Sequence, residues 1–248
     1  MDAESVRRKY KKSPIIEALC EIHFSEFQAD STLPGLLYER IRNKYPIKEQ
    51  ISQNSFEIQF AQGGVSSQKI LQVPMIRFFN QEKSELIQVA SNLLTVNRLI
   101  PYEDYESFVI SIKNAIENYV DIAKPKSVER IGLRYINHIF IPKAHINLDE
   151  YFTYLPKIRE NYYNIQLSLE LKPFYDNHLV FMTIASIPNK SQGAFLFDIY
   201  DNLKKNQEID LENIGQNLNE SHENIERIFE DVVTDKTREL FEEEDVNG

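Results

Sequence analysis

The sequence is poor in the residues that build several common kinds of site. Its 248 residues include one cysteine, Cys20, seven glycines and no tryptophan. A single cysteine excludes an intrachain disulfide and a multi-cysteine zinc site. No GxGxxG, GxxxxGK[ST] or GxSxG pattern occurs, so neither a glycine loop for a phosphate nor a nucleophile elbow is predicted.

Long apolar runs and local metal motifs are also missing. No stretch approaches the roughly 18 apolar residues of a transmembrane helix, and the basic N-terminus is not followed by the apolar segment of a signal peptide. The five histidines are not spaced as HxH or HxxxH. We therefore expect a cytoplasmic protein that needs no membrane, metal or cofactor.

The negative charge belongs to one end of the chain. Residues 206–248 hold 14 acids and 3 bases, whereas residues 1–205 hold 24 acids and 25 bases. Residues 1–12 form a locally basic N-terminal arm. Two interpretations stay open: both ends are solvated surfaces, or the arm binds phosphate or an acidic partner. Nucleic acid is not expected as a partner except through this arm, because the body of the chain is nearly neutral.

The first half of the chain, residues 13–125, changes between the period of a strand and that of a helix. Residues 14–24 alternate between apolar and polar, with Cys20 on the apolar face, which predicts a half-buried strand. The later pattern predicts a helix over 33–45, strands over Ser55–Phe60, Ile70–Asn80 and Ser84–Val96, and a helix over 102–123.

The second half, residues 126–248, repeats that order without repeating the letters. Val128–Ile141 alternates as a long strand, and Leu148–Ile158 is a short helical stretch. Lys204–Gly215 is a polar connection before the last helix. The remaining elements are strands over Tyr163–Leu171, His178–Ile187 and Ala194–Tyr200 and an acidic C-terminal helix over 218–243.

These patterns predict an α+β fold. One extended antiparallel sheet would carry helices on one face, because amphipathic helices need an apolar sheet face to cover. Both halves read β-α-β-β-β-α, so we expect two pseudo-symmetric halves produced by an internal duplication. Their first strands would then be neighbours at the centre of the sheet.

The polar sides of those two strands supply the candidate site. The residues are Glu17, Glu21 and His23 on the first strand and Arg130, Arg134 and His138 on the second. Antiparallel pairing of the strands predicts contacts between the glutamates and the arginines. Three interpretations stay open: structural ion pairs, a groove in which an arginine holds a phosphate or carboxylate, and acid–base catalysis.

Four segments resemble a sporadically distributed, uncharacterised prokaryotic family of about 250 residues. They are the segments PIIEALCEIHF, NRLIPYEDYESF, RIGLRYINHI and VVTDKTRELF. The matching residues are Pro14, Glu17, Pro101, Tyr102, Arg130, Gly132, Arg134, Tyr135 and Asn137. The resemblance implies no activity, and it suggests genes of defence or toxin–antitoxin loci by association alone.

Three functions follow as hypotheses. The first is a non-catalytic protein-interaction module, a component of a prokaryotic defence or toxin–antitoxin locus, with a protein partner or a homo-oligomer. The second is binding of a small anionic ligand on the arginine-lined face. The third is a hydrolase or nuclease, which the pairing of acids with arginines disfavours because a nuclease needs acids that hold Mg²⁺.

Overall fold

The computed structural model describes residues 8–25, 31–61, 64–90, 92–143, 146–155, 165–187 and 193–243; for 52–61, 64–74 and 205 it describes the backbone. The strands are β1 (Ile15–Ser25), β2 (Ile47–Ala61), β3 (Gly64–Phe79), β4 (Glu85–Ala90), β5 (Leu93–Leu99), β6 (Ser127–Phe140), β7 (Gln166–Leu171), β8 (His178–Ser186) and β9 (Ala194–Glu208). The helices are α1 (Leu33–Ile41), α2 (Tyr105–Ala123), α3 (Leu211–Val232) and α4 (Asp235–Arg238).

One antiparallel sheet contains all nine strands of the described residues, in the order β2-β3-β4-β5-β1-β6-β9-β8-β7. The predicted α+β class with an extended antiparallel sheet is therefore confirmed. β1 and β6 are neighbours at the centre, as the sequence predicts. In each half the chain crosses from its central strand to the edge of the sheet. The following strands then pair in sequence order from that edge back to the central strand.

The core lies between one face of this sheet and the helices. Phe24 of β1 stacks on Tyr119 of α2 with 4.7 Å between ring centroids, and Phe197 of β9 stacks on Phe229 of α3 at 5.6 Å. Cys20 has the same parity as Phe24 and is fully buried. Each large apolar side chain buried here contributes about 1.5–3 kcal/mol. We call the opposite side of the sheet, which turns away from these helices, the outer face.

The two halves differ in their strand number. The segment Ser84–Val96, predicted as one strand, contains β4 and the start of β5, so four strands follow α1. In the second half Leu148–Glu150 forms a 3₁₀ turn in place of a first helix, and three strands lie between it and α3. Residues 156–158 and 163–164 of the predicted elements lie outside the described residues. The duplication itself stays a prediction.

The last helix starts earlier and ends earlier than 218–243. The stretch predicted as a polar connection is the end of β9 followed by the first turn of α3, which Asp210 caps by accepting a hydrogen bond from the Glu212 amide at 3.0 Å. α3 ends at Val232 because Val233 is extended and forms a β-bridge with Phe152. The helix is therefore tied to the loop after β6.

None of the helices in the described part of the chain has the length and apolarity needed to cross a bilayer.

Candidate functional site

The six residues predicted from the sequence lie along the two central strands. Glu17, Glu21 and His23 alternate with the buried residues of β1, so they occupy the outer face. Arg130, Arg134 and His138 do the same on β6. The structure therefore brings the predicted residues onto one sheet face, but the register determines which of them meet.

The register does not set the arginines directly opposite the glutamates, although the sequence predicts this arrangement. Glu21 lies opposite Gly132, not opposite an arginine. Arg134 instead reaches β9 and forms a two-pronged ion pair with Asp198, at 2.8 Å from Nε to Oδ1 and 2.5 Å from Nη2 to Oδ2. Asp198 was missed because the sequence does not show that β9 flanks β6. This geometry is the strongest that a guanidinium and a carboxylate make.

Arg130 contacts the ring of His23 across the same central pair of strands. Burial lowers the pKa of His23 to about 4, with the charge of Arg130 acting in the same direction. His23 is therefore neutral near pH 7 and accepts a hydrogen bond from the guanidinium at Nε2. His138 lies farther along β6, where its backbone amide donates to the Pro14 carbonyl at 2.8 Å.

Glu17 ends a chain of side-chain hydrogen bonds that runs across four strands. Arg77 Nε donates to Gln88 Oε1 at 2.8 Å, and Gln88 Nε2 donates to Asn97 Oδ1 at 2.8 Å. Asn97, which is 2% exposed, then donates from Nδ2 to Glu17 Oε1 at 2.6 Å. Tyr200 faces Glu21 with its hydroxyl 3.4 Å from Oε2. The polar groups of the outer face are thus largely bound to one another.

A cavity of about 280 Å³ lies on the other side of the sheet, beside the central strands. β6 forms its floor with Tyr135 and Asn137, which have core parity and are 3% and 2% exposed. Its walls are the start of α2, one face of α3 and the N-terminal segment 8–14, which we call the strap. The lining residues used below are Tyr102, Tyr105, Tyr135, His222, Ile225, Glu226, Phe229 and Glu230.

Several aromatic rings line the cavity. The hydroxyls of Tyr102 and Tyr135 are 3.1 Å apart and share a hydrogen bond. His222 stacks on Tyr105 with 3.7 Å between ring centroids and 9° between planes. Burial raises the pKa of Tyr102 and of Tyr135 well above the usual range, and the charge of Glu226 adds to both shifts. Both phenols therefore stay protonated at neutral pH.

Two of the cavity's carboxylates, Glu226 and Glu230, come from consecutive turns of α3. His222, Glu226 and Glu230 are four residues apart, so they share one helix face. His222 Nε2 lies 3.2 Å from Glu226 Oε1. Glu230 accepts a hydrogen bond from Tyr10 at 2.7 Å and one from Arg238 Nε at 2.8 Å. Glu230 therefore holds the strap.

The strap joins the two oppositely charged ends of the chain. The backbone amides of Lys11 and Lys12 donate to carbonyls at Glu242 and Phe241, both at 2.9 Å, and Tyr10 forms a β-bridge with Glu243. Arg8 Nη1 and Lys12 Nζ add ion pairs to carboxylates of this same C-terminal segment at 2.9 and 2.5 Å. Three members of the basic arm are thus engaged within the chain; residues 1–7 lie outside the described residues.

A buried aspartate on the core face of β9 forms a second cluster. Asp201 is fully buried and accepts hydrogen bonds from Ser221 at 2.9 Å and Asn224 at 2.7 Å, and it lies 2.7 Å from His178 Nδ1. Ser221 donates to Asp201 and not to the imidazole, so these residues do not form the relay of a serine nucleophile. The cluster fastens α3 to β8 and β9.

Sequence reasoning missed the cavity, although two signals pointed to it. Asn137 has the same parity as the buried residues Ile131, Leu133 and Ile139, and an amide at a core position marks an interruption of the apolar face. Its Nδ2 donates to the Phe197 carbonyl at 3.0 Å. The spacing of His222, Glu226 and Glu230, which all lie in the predicted helix over 218–243, is a second signal.

No protein-family model and no curated protein matches the chain. Within the described ranges, no three histidine, cysteine, aspartate or glutamate side chains come together as a metal site requires. What the cavity and the outer face do is therefore inferred from their geometry.

Proposed function

We propose that the protein is a non-catalytic binding module that holds a small ligand, or one side chain of a partner protein, in the cavity between β6, α2 and α3. The observation that supports this is a concave, largely aromatic space of about 280 Å³ with a few converging polar groups. Such a combination is typical of ligand sites. A protein partner from a prokaryotic defence or toxin–antitoxin locus belongs to the same proposal.

Recognition suits the cavity better than catalysis does. A general base near pH 7 needs a pKa close to that pH, whereas the pKa values of Tyr102 and Tyr135 are shifted far above it by burial. Burial also raises the pKa of the Cys20 thiol, which lies in the core away from the cavity lining. These phenols therefore act as hydrogen-bond donors and acceptors of fixed protonation state.

Binding of a small anion on the outer face is the second candidate. The side chain of Arg134 is 40% exposed, so an anion has access to it. That anion would have to displace Asp198 from a two-pronged ion pair, and a carboxylate competitor gains little by replacing another carboxylate. The cavity is the better candidate because a ligand can bind there without breaking the ion pair between Arg134 and Asp198.

A fragment screen by saturation-transfer NMR tests which site binds. The fragments are small ammonium, carboxylate and neutral aromatic compounds, and the variant Ile225→Trp fills the cavity from α3. We expect the wild type to give binding signals that Ile225→Trp abolishes and that the outer-face control Leu179→Ala preserves. If Ile225→Trp lowers the midpoint of thermal unfolding, the smaller substitution Ile225→Phe is used in its place. Binding signals that persist in Ile225→Trp and Ile225→Phe but vanish in Arg134→Ala would contradict the cavity proposal and favour the anion site.

A further inference from the structure

In the described part of the chain, one edge of the sheet carries backbone groups that no further strand covers. β7 is the last strand on its side, and among the described residues only β8 pairs with it. The Ser186 amide donates to the Ile165 carbonyl at 2.8 Å, so these two residues form a hydrogen-bonded pair at the start of the ladder. Such pairs occur at every second residue of antiparallel strands. The backbone groups of Gln166, Ser168 and Glu170 therefore point away from the sheet.

The β7 edge lacks the features that usually oppose pairing with another chain. Natural edge strands often carry lysine, proline or a β-bulge for this purpose. β7 contains neither lysine nor proline, and its register with β8 runs without a shift. The strand at the other edge, β2, contains Lys48 and a register shift between Gln59 and Phe60. A further strand is therefore expected at β7 and not at β2.

The side chains of β7 match those of a second, antiparallel copy of the same strand. Its leucines lie on the core face and are partly buried, whereas Gln166, Ser168 and Glu170 are exposed on the outer face. In a pairing with its two-fold axis at Ser168, Leu167 lies opposite Leu169 of the second copy. Glu170 lies opposite Gln166 of the second copy in the same pairing. Apolar side chains thus meet apolar ones, and no like charges face each other.

Backbone hydrogen bonding favours this axis over the alternatives. With the axis at Ser168, all the outward-pointing residues of β7 exchange hydrogen bonds with the second copy, because Ser168 pairs with itself and Gln166 with Glu170. An axis at Leu169 would instead set Gln166 opposite Lys172, which follows the end of the strand. An axis between two residues would set leucines opposite polar residues. The axis at Ser168 therefore makes the most hydrogen bonds within the strand.

We propose that β7 is a dimerisation edge, where a second copy of the chain adds its own β7 antiparallel and continues the sheet across a two-fold axis at Ser168. The interface is isologous, since each copy contributes the same strand. The ladder is short, so we expect a dissociation constant on the order of micromolar or weaker. This inference goes beyond the proposed ligand function and does not depend on it, because β7 contributes no residue to the cavity.

Sedimentation equilibrium of the full chain tests the dimer. We expect the average mass to rise from monomer towards dimer between about 1 and about 500 µM, a range that covers weak association. Ser168→Pro removes an outward-pointing N–H and no hydrogen bond of the β7–β8 ladder, so it should abolish the rise. Thr183→Ala is its control, because it removes the 3.0 Å contact between the two hydroxyls and leaves the edge intact. A wild type that stays monomeric throughout would overturn the proposal.

Two charge variants test the register without a proline. Gln166→Lys sets a lysine opposite Glu170 of the second copy, and Gln166→Glu sets a like charge there. We expect the first to tighten dimerisation and the second to weaken it, each by about threefold or more, since the pair occurs twice across the axis.

The matched controls are Gln81→Lys and Gln81→Glu, which make the same changes at an exposed residue of the turn between β3 and β4. They correct for the net charge of -10, which any added lysine reduces. Reversed signs at Gln166 would overturn the axis at Ser168, because the axis at Leu169 sets Gln166 opposite Lys172. A dimer that responds equally at Gln81 and Gln166 would have its interface elsewhere and would overturn the proposal.

Discussion

The two aspartates of β9 show how differently the two faces of the sheet use charge. Asp198 points to the outer face, where its side chain is 20% exposed and Arg134 binds it. Asp201, three residues later, points into the core and is fully buried among neutral and imidazole donors. On the outer face, the charged side chains of Asp198 and Arg134 bind each other and stay partly exposed to water. On the core face, Asp201 is held by three side-chain partners from α3 and β8.

Asp201→Ala gives the largest effect that this comparison predicts. The substitution leaves buried donors of His178, Ser221 and Asn224 without their acceptor, which typically costs about 3–5 kcal/mol for a buried charged network. We expect the free energy of unfolding, measured in urea, to fall by that amount. Asp198→Ala on the same strand is the matched control, and it should cost about 1 kcal/mol or less. Equal losses in the two variants would contradict the distinction between the faces.

Gly132→Ala tests how closely the outer face is packed. A Cβ at Gly132 would lie 2.6 Å from the Tyr200 hydroxyl oxygen and 2.7 Å from Tyr200 Cε2, so the ring must move away from Glu21. Overpacking of this kind costs about 1–3 kcal/mol. In a double-mutant cycle the combination with Tyr200→Ala should recover most of the loss. If Tyr200→Ala gives no recovery, the backbone at Gly132 and not the ring is the obstacle.

The two histidines predict opposite pH dependences. Burial disfavours the charged form of His178, but hydrogen bonding and charge from Asp201 and Glu220 outweigh it and raise its pKa. A raised pKa stabilises the fold below about pH 6.5 and loses that contribution as the pH rises through the folded value. The pKa of His23 is lowered to about 4, so protonation destabilises the fold as the pH falls from about 6.5 towards 4.

Urea unfolding at about pH 5 and about pH 8 measures these signs. Relative to wild type, His178→Gln should lose more stability at the lower pH. His23→Gln should gain stability relative to wild type at the lower pH, because it removes a histidine whose protonation destabilises the fold. The same direction of change in both variants would mean that one of the two histidine environments is wrongly described.

Arg134→Ala gives the smallest expected effect. Its side chain is 40% exposed, and exposed ion pairs contribute about 0–1 kcal/mol. A double-mutant cycle with Asp198→Ala should give a coupling energy within that range. Normal stability together with a lost function would instead favour a ligand site on the outer face.

The sequence predicted which face of the sheet each residue occupies better than it predicted which strands lie side by side. Alternation on β1 and β6 is a local property, and it placed Cys20 and Glu17 on opposite faces correctly. The partner of Arg134 depends on strand order and register, which no local pattern contains. The strand predicted over Ala194–Tyr200 extends to Glu208 in β9. Asp201 stays in the strand since side chains from α3 and β8 satisfy it.

The cavity was hidden from sequence analysis for a related reason. Its residues come from the strap, the start of α2, β6 and α3, which are far apart in the sequence. Each residue taken alone looks like part of an apolar stripe or a solvated helix face. Only Asn137, an amide at a core position, departs from that pattern.

A crystal structure of the protein soaked with a fragment detected in the NMR screen tests the central claim most directly. The account predicts electron density for the fragment in the cavity between β6, α2 and α3, in contact with residues such as Tyr102 and Ile225. Density beside Asp198 on the outer face, with the cavity unchanged, would contradict it.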